Sequence, residues 1–297
     1  MFPFQIIFLT STASGLGLAV AKSLAAKAWN VMIVDMNEAG GQATATDLNG
    51  TFYKTDVTDY KSLSLAFDRT FQQFQRIDFV FANAGIVERD NFYAKHDKNS
   101  PPDAPNLLSL DINLRAVMMT AYLAQHYMRQ NPDSTGGCLI STSSVGGIYP
   151  SPFCPIYSGA KHGVIGFTRS IAKHYYMHDK IRVNAIMPGT MRTGLLSEQE
   201  WEHFRDQQWT KVEDVVNVVE MLLDDEGNHW GKCVEVSGEG YFFRDGIPYS
   251  TEGMRRNMEK TDVEALDDGD SAVSADKSTD AQKSVDVSHI EVCNLVR

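Results

Sequence analysis

A doubly wound α/β fold, with a parallel sheet between two helical layers, follows from three features of this 297-residue chain. Short apolar runs alternate with longer stretches of helical period, which is the pattern of a parallel sheet crossed by helices. The first run, FQIIFLT (4–10), is apolar at every position but two, as expected of a strand buried on both faces. It leads directly into STASGLG, a glycine-bearing turn that opens a helix.

The remaining elements follow in order. A helix is predicted over 16–28, a strand over NVMIVD (30–35), a further helical segment, and a third strand over TFYKTD (51–56). Residues 59–75 read as a helix and IDFVFANAG (77–85) as a strand with its turn. A long helix spans 106–130, its start delayed by the proline-rich PPDAPN (101–106). CLISTSS (138–144) is a fifth strand, and a helix opens near Pro155 and runs to 178. IRVNAIMPG (181–189) is a strand and turn, 211–224 a helix, and KCVEVSG (232–238) the last strand. Residues 1–250 form one three-layer domain, with a lid at about 190–210. Residues 251–297 read as a disordered acidic tail. From 255 onward the tail holds no Phe, Trp or Tyr and carries 10 acids against 6 bases, too little apolar surface to order itself. IEVCNLV (290–296) is a candidate docking peptide within it.

Composition narrows the function. A net charge of −11 argues against nucleic acid or an anionic membrane as partner. The four cysteines, Cys138, Cys154, Cys233 and Cys293, form no CxxC pair. Neither disulfides nor a metal site is expected, and a reducing, cytoplasmic setting is. No apolar run approaches the roughly 20 residues of a membrane span. The opening MFPFQIIFLT lacks a basic start and a cleavage site, so it reads as a strand and not a signal.

The glycine turn points to a phosphate. Between Thr10 and Gly17, the segment with Ser11, Ser14, Gly15 and Leu16 sits where a strand becomes a helix. Glycines there admit a pyrophosphate to the helix N-terminus. Asp35 follows Gly17 by 18 residues, at the end of the second strand, where a carboxylate accepts from both ribose hydroxyls and repels a 2′-phosphate. No Lys or Arg lies in 10–17 or 36–41, so NAD is expected over NADP. Asp56 and Val57 are placed to meet an adenine. Asn83, Ala84 and Gly85 leave room beside the cofactor. Asn113, polar in the apolar DINLRAV, is either a satisfied core amide or part of a site.

The second chemical signal is STSSVGGIYPSPFCPIYSGAKHGVIGFTRS (141–170). Tyr157 and Lys161, four apart on one helix, share a face, and Ser144 lies thirteen residues before the tyrosine. A free phenol has a pKa of about 10, so making it a base at pH 7 costs about 4 kcal/mol without help. An ammonium one turn away lowers that cost, and a hydroxyl can hold a substrate oxygen. With 11 tyrosines in the chain the spacing alone is weak evidence. Tyr176 and Lys180 repeat it, but Gly163, thirteen residues before Tyr176, offers no hydroxyl. His162 and His174 on the same helix read as surface or packing residues.

Over residues 4–245 the chain resembles the short-chain dehydrogenase/reductase family, with its Rossmann-type sheet. The resemblance is carried by the Thr10–Gly17 turn, by Asn83–Ala84–Gly85, by Asn113, Ser144, Tyr157 and Lys161, and by Pro188, Gly189 and Thr193. KHGVIGFTRS, DINLRAV and LLDDEGNHWGKCVEVSGEGYFFRD are most similar to the 15-hydroxyprostaglandin dehydrogenase-like branch, a neighbourhood that includes fungal enzymes of specialised (terpenoid or polyketide) metabolism. The resemblance implies that Tyr157 exchanges the alcohol proton and Ser144 positions the oxygen. It implies that Lys161 lowers the tyrosine pKa and binds the nicotinamide ribose, and that Asn113 holds a relay water. It also implies that Thr193 bonds the carboxamide, beside Pro188, Gly189 and Thr190. Ser11 departs from the family pattern by replacing the first glycine, which costs about 1 kcal/mol if that position needs a positive φ.

Large apolar residues suggest a lipophilic secondary alcohol as substrate: Leu195, Trp201 and Phe204 in the lid, with Ile148, Tyr149 and Phe153 opposite. Several of these could equally pack on the sheet. Gly159, Gly163 and Gly166 on the catalytic helix fit the close helix packing of a homodimer or homotetramer, which the resemblance implies. An NADPH-dependent ketoreductase and a non-catalytic dinucleotide sensor are the rival readings. Cofactor preference tests the first, and the intact set of Ser144, Tyr157 and Lys161 speaks against the second.

Overall fold

The computed structural model describes residues 5–11, 14–195, 198–202, 209–224, 226–238 and 240–262. One eight-stranded sheet runs in the order β3-β2-β1-β4-β5-β6-β7-β8. Its strands are β1 (Ile6–Thr10), β2 (Asn30–Asp35), β3 (Thr51–Lys54), β4 (Phe79–Ala82), β5 (Gly137–Thr142), β6 (Ile181–Pro188), β7 (Cys233–Ser237) and β8 (Gly240–Phe243). The first seven are parallel. The order reverses between β1 and β4, which opens a crevice beyond their carboxyl ends.

The all-apolar strands face two cores. Ile7 and Leu9 of β1, with Phe79 and Phe81 of β4, pack with Leu24, Val219 and Leu222 of helices α1 (Gly15–Ala25) and α8 (Val212–Leu223). Phe8 and Val80 point the other way. They pack with Leu63 and Phe67 of α3 (Tyr60–Phe74), Ala121 and Tyr127 of α5 (Ala116–Met128), and Val164 of α6 (Pro155–Asp179). Alternate residues of one strand thus feed opposite helical layers. Helix α2 (Glu38–Asp47) joins β2 to β3, with Asn37 accepting from Gly40 N at 3.1 Å as its cap.

Four sequence expectations change. β8 was not anticipated: it turns back at Gly238 (φ +61) and pairs antiparallel with β7, Val234 opposite Phe243. Its aromatic side chains are 41–50% exposed, so it lacks the buried signature of the other strands. The long helix begins at Leu108 and is not uniform. A short α4 (Leu108–Leu110) passes through a π-helical turn, Asp111–Arg115, into α5. The first helix stops at Ala25, three residues early, where Ala28 takes φ +64. Within the segment expected to be disordered, Glu252–Glu259 forms α9, capped by Thr251 Oγ1, which accepts from Met254 N at 3.1 Å. Arg255 pairs with Glu252 and Glu259 along it. The described residues 248–262 belong to a unit separate from Met1–Ile247, and 263–297, including IEVCNLV and Cys293, lie outside the described residues.

One buried amide ties the rear of the sheet. Asn131, 4% exposed, accepts from Ile77 N at 2.9 Å and donates to Ile77 O and Gly136 O, each at 2.7 Å. It thereby fixes the entries of β4 and β5, whose far ends carry the site. Asn131→Ala strands buried backbone groups, and we expect a loss of about 3 kcal/mol in urea unfolding; a loss below about 1 kcal/mol would refute this role.

Candidate active site

The catalytic candidates gather where β5 ends and α6 begins. Ser144 caps a 3₁₀ turn, Val145–Gly147, its Oγ accepting from Gly146 N at 3.1 Å. A Cβ built at Gly146 would stand 3.6 Å from that Oγ and 3.7 Å from Tyr157 Cε1, so the hydroxyl and the phenol ring flank one point. Lys161 Nζ lies 5.5 Å from the centre of the Tyr157 ring and donates to Thr142 O at 2.7 Å. The register of α6 is locked from both sides. Ser143 Oγ donates to Lys161 O at 2.8 Å, and Ser158 Oγ donates to Gly146 O at 2.7 Å. A Cβ at Gly147 would stand 2.7 Å from Lys161 O, so only glycine fits there.

Asn113 reaches the same spot from the π-helical turn. Its Nδ2 donates to Ile86 O and Ser109 O, both at 2.7 Å, which orients the amide. Its buried Oδ1 has no hydrogen-bond partner. A Cβ built at Gly85 would stand 2.7 Å from that Oδ1 and 3.5 Å from Lys161 Nζ, so both polar groups flank one point. The π turn is the local distortion that aims Asn113 inward; such turns recur at functional sites.

Electrostatics here depart from the expectation that Lys161 lowers the tyrosine pKa. In the protein alone, burial pushes the Tyr157 phenol up, and the nearby Ser144 hydroxyl only partly opposes this. Burial also drives the Lys161 ammonium down, to about 7. Desolvation penalises each charged form more than the neighbours relieve it.

The nucleotide side forms around the crevice. Thr10 Oγ1 accepts from Asn83 N (2.9 Å) and Ala84 N (3.0 Å), joining the ends of β1 and β4. Ser11 adopts φ +58 and Gly15 φ +60. A Cβ at Gly17 would meet Ser11 O at 2.2 Å, so the turn closes only on glycine. Ser14 is the N-cap of α1, and its side chain makes no capping bond. A cleft of about 510 Å³ brings Ser11, Ser14, Gly15, Leu16, Asn83 and Gly85 together with Asn113, Ser144, Tyr157 and Lys161. Pro188, Gly189, Thr190 and Thr193 line its other wall. Thr10, Gly17 and Ala84 stand behind this lining. Asp35 ends β2, its Oδ1 accepting from Asn37 N at 2.9 Å. Asp56 Oδ1 accepts from Thr58 N and Oγ1 at 2.8 and 2.7 Å, closing a turn just after β3. Val57 is buried in the core.

The substrate candidates divide. Leu195 and Trp201 line the cleft. Trp201 is buried and donates from Nε1 to Thr193 O at 3.2 Å. Tyr149 lines an adjoining cavity of about 630 Å³, which shares Val145, Gly189 and Thr190 with the cleft. Ile148 packs against Ile165 and Met187, and Phe153 is 75% exposed; neither lines the cleft or this adjoining cavity. Phe204 lies outside the described residues. Val87, Arg89 and Thr142 line the cleft without having been singled out. Val87 and Arg89 directly follow the Asn83–Gly85 turn, and that adjacency was the available signal.

Two outcomes test this geometry. Lys161 has a folded-state pKa below its ordinary 10.5, so the folded chain holds fewer protons than the unfolded chain between about pH 7 and 10.5. Stability therefore rises with pH across that window. Lys161→Met should stabilise the protein most at pH 6–7, with a gain that shrinks toward pH 10; equal thermal shifts at both ends would refute it. Ser11→Gly should raise stability by up to about 1 kcal/mol in urea unfolding by relieving the positive φ, and a destabilised variant would contradict that.

Comparison with known proteins places the chain. The sequence pattern described as short chain dehydrogenase matches residues 5–204. The short-chain dehydrogenase/reductase prx7 of Penicillium rubens is 43% identical over 274 residues, 84% of this chain and 97% of that one. Human 15-hydroxyprostaglandin dehydrogenase [NAD(+)] is 33% identical over 206 residues, 67% of this chain and 72% of that one. The crystal structure of levodione reductase superposes with a TM-score of 0.69 at 28% identity, covering 79% of this chain and 96% of that one. A 3-ketoacyl-(acyl-carrier-protein) reductase from Brucella melitensis, complexed with NADH, shares the fold at a TM-score of 0.70 and 22% identity, covering 80% of this chain and 98% of that one. The chain belongs to the short-chain dehydrogenase/reductase family, oxidoreductases that act on CH–OH groups with NAD(P).

Proposed function

We propose that this enzyme interconverts a lipophilic secondary alcohol and its ketone with NAD, using Tyr157 as the acid/base. The observation that carries the reading is the meeting of Ser144 Oγ, the Tyr157 ring and buried Lys161 in one cleft that continues to the glycine turn. That turn suits a dinucleotide: Gly15 and Gly17 admit no side chain without strain or clash, and the cleft runs unbroken to Thr193. When bound, the nicotinamide supplies the acceptor or donor of hydride.

The chain's own groups do the rest. Ser144 Oγ holds the alcohol oxygen, and Tyr157 takes its proton in the oxidation or returns it in the reduction. Lys161 supplies positive charge beneath the phenol and a donor toward the ribose. The unpartnered Asn113 Oδ1, beside Lys161 Nζ, accepts from a water that passes the proton outward. Asp35, with no Lys or Arg in 10–17 or 36–41, favours NAD over NADP; the human relative, named for NAD(+), supports the same preference. Thr193 serves the carboxamide.

Val87, Leu195 and Trp201, with Val145 and Phe242 in the adjoining cavity, favour a bulky apolar substrate. A terpenoid or polyketide alcohol of specialised metabolism is the class we infer. We also infer assembly through α6. Gly159 and Gly166 face open space, whereas Gly163 is already filled by Leu114, 2.7 Å from where its Cβ would lie. The reduced, buried Cys138, Cys154 and Cys233 suit a cytoplasmic enzyme.

The test is oxidation of sterol, terpenoid, polyketide and fatty secondary alcohols with NAD, read as absorbance of the reduced cofactor. Tyr157→Phe should lower kcat about a hundred- to ten-thousand-fold, with NAD binding kept. Turnover preserved in that variant would exclude the acid/base role, and equal kcat/KM with NADP would exclude the cofactor preference.

A further inference from the structure

Helix α6 carries Tyr157 near its start, yet its own sequence cannot close that end. The N-cap residue is Cys154, whose side chain makes no capping bond, and Pro155 has no N–H to offer. Ser158 N is the first amide of this turn to find a partner within the segment, Cys154 O at 2.9 Å. Two amides are left over, those of Ile156 and Tyr157.

Both go to a single side chain 68 and 69 residues away in sequence. Glu88 Oε1 accepts from Ile156 N at 3.2 Å, and Glu88 Oε2 accepts, closer, from Tyr157 N. Glu88 is half-buried and belongs to the segment after β4 that already touches the other site groups. Gly85 lies against Asn113 and Lys161, and Ile86 O accepts from Asn113 Nδ2. We propose that Glu88 is a positioning residue for the reaction: its carboxylate holds the backbone of Tyr157, and so sets where the phenol stands relative to Ser144 and Lys161.

The chemistry favours a carboxylate over other caps. It offers two oxygens to two adjacent amides, and its negative charge suits the positive end of a 25-residue helix. A local Ser or Asp at position 154 could cap the helix too, but would not tie it to the segment bearing Gly85 and Ile86. The tie matters because small displacements of an acid/base group cost rate steeply. The proposal rests on the acid/base reading of Tyr157, and the experiment separates the two.

The variants are Glu88→Ala and Glu88→Gln in the full chain. They are assayed with NAD and the panel alcohol that the wild type oxidises fastest, alongside amide hydrogen exchange of residues 155–161. For Glu88→Ala we expect kcat to fall about ten-fold or more and KM for NAD to move by less than about two-fold. Exchange should quicken at Ile156 and Tyr157 but not in the central strands. Glu88→Gln keeps one acceptor oxygen and should recover a large part of both losses. Wild-type kcat and exchange in Glu88→Ala would overturn the proposal. So would faster exchange spread through the sheet, which marks Glu88 as a general stabiliser. Retained turnover in Tyr157→Phe would instead remove the acid/base reading, and the exchange of the first turn would still decide whether Glu88 closes it.

Discussion

A lysine side chain buried to 2% exposure is the constraint around which this molecule is built. Lys161 keeps one protein acceptor for its ammonium, Thr142 O at 2.7 Å. Burial without a paired carboxylate is unfavourable for such a group and moves its pKa toward neutrality. The surrounding fold accepts that cost by fixing everything near the ammonium. Ser143 holds the lysine's carbonyl, Gly147 lets the β5 turn approach it, and Gly85 clears the space above Nζ. A hydrophobic residue at 161 would relieve the penalty and leave the phenol without a cation. The buried ammonium is therefore a local cost to stability at the helix position that faces Tyr157.

What was legible in the sequence had a periodic or glycine-based origin. The strands at 6–10 and 30–35 are largely apolar on both faces because both faces are covered, so their runs stood out. Tyr157 and Lys161 were legible from helical spacing, and Gly17 from its place after the first strand. Even the doubt about Ser11 was sound, since that residue takes φ +58. What escaped has no local signature. β8 is short and half-exposed, so nothing in GYFF distinguishes it from a loop. Ile148 and Phe153 looked alike in the sequence, yet one joined a core and the other faced solvent. Asn131 and Glu88 act across 54 and 68 residues, a distance that no spacing rule spans.

The electrostatic expectation failed for a related reason. Counting charges along a helix places Lys161 one turn from Tyr157 and predicts a depressed phenol pKa. The three-dimensional site adds desolvation, which raises the phenol and lowers the amine together. Proximity of opposite charges helps only if the charges survive burial.

The site also spans the point where the sheet changes direction, and one chain of hydrogen bonds crosses it. Ser11 O accepts from Asn83 Nδ2, Asn83 Oδ1 accepts from Thr142 Oγ1, and Thr142 O accepts from Lys161 Nζ. Thr10 Oγ1 supports the same crossing by accepting from Asn83 N and Ala84 N. The glycine turn after β1, the end of β4, the end of β5 and helix α6 are therefore linked through single side chains rather than through loops alone. A dinucleotide contacting the turn and a substrate contacting Ser144 would meet walls whose separation is set by bonds of about 3 Å. The two halves of the sheet are thereby tied to one another across the crevice by side chains that come from both.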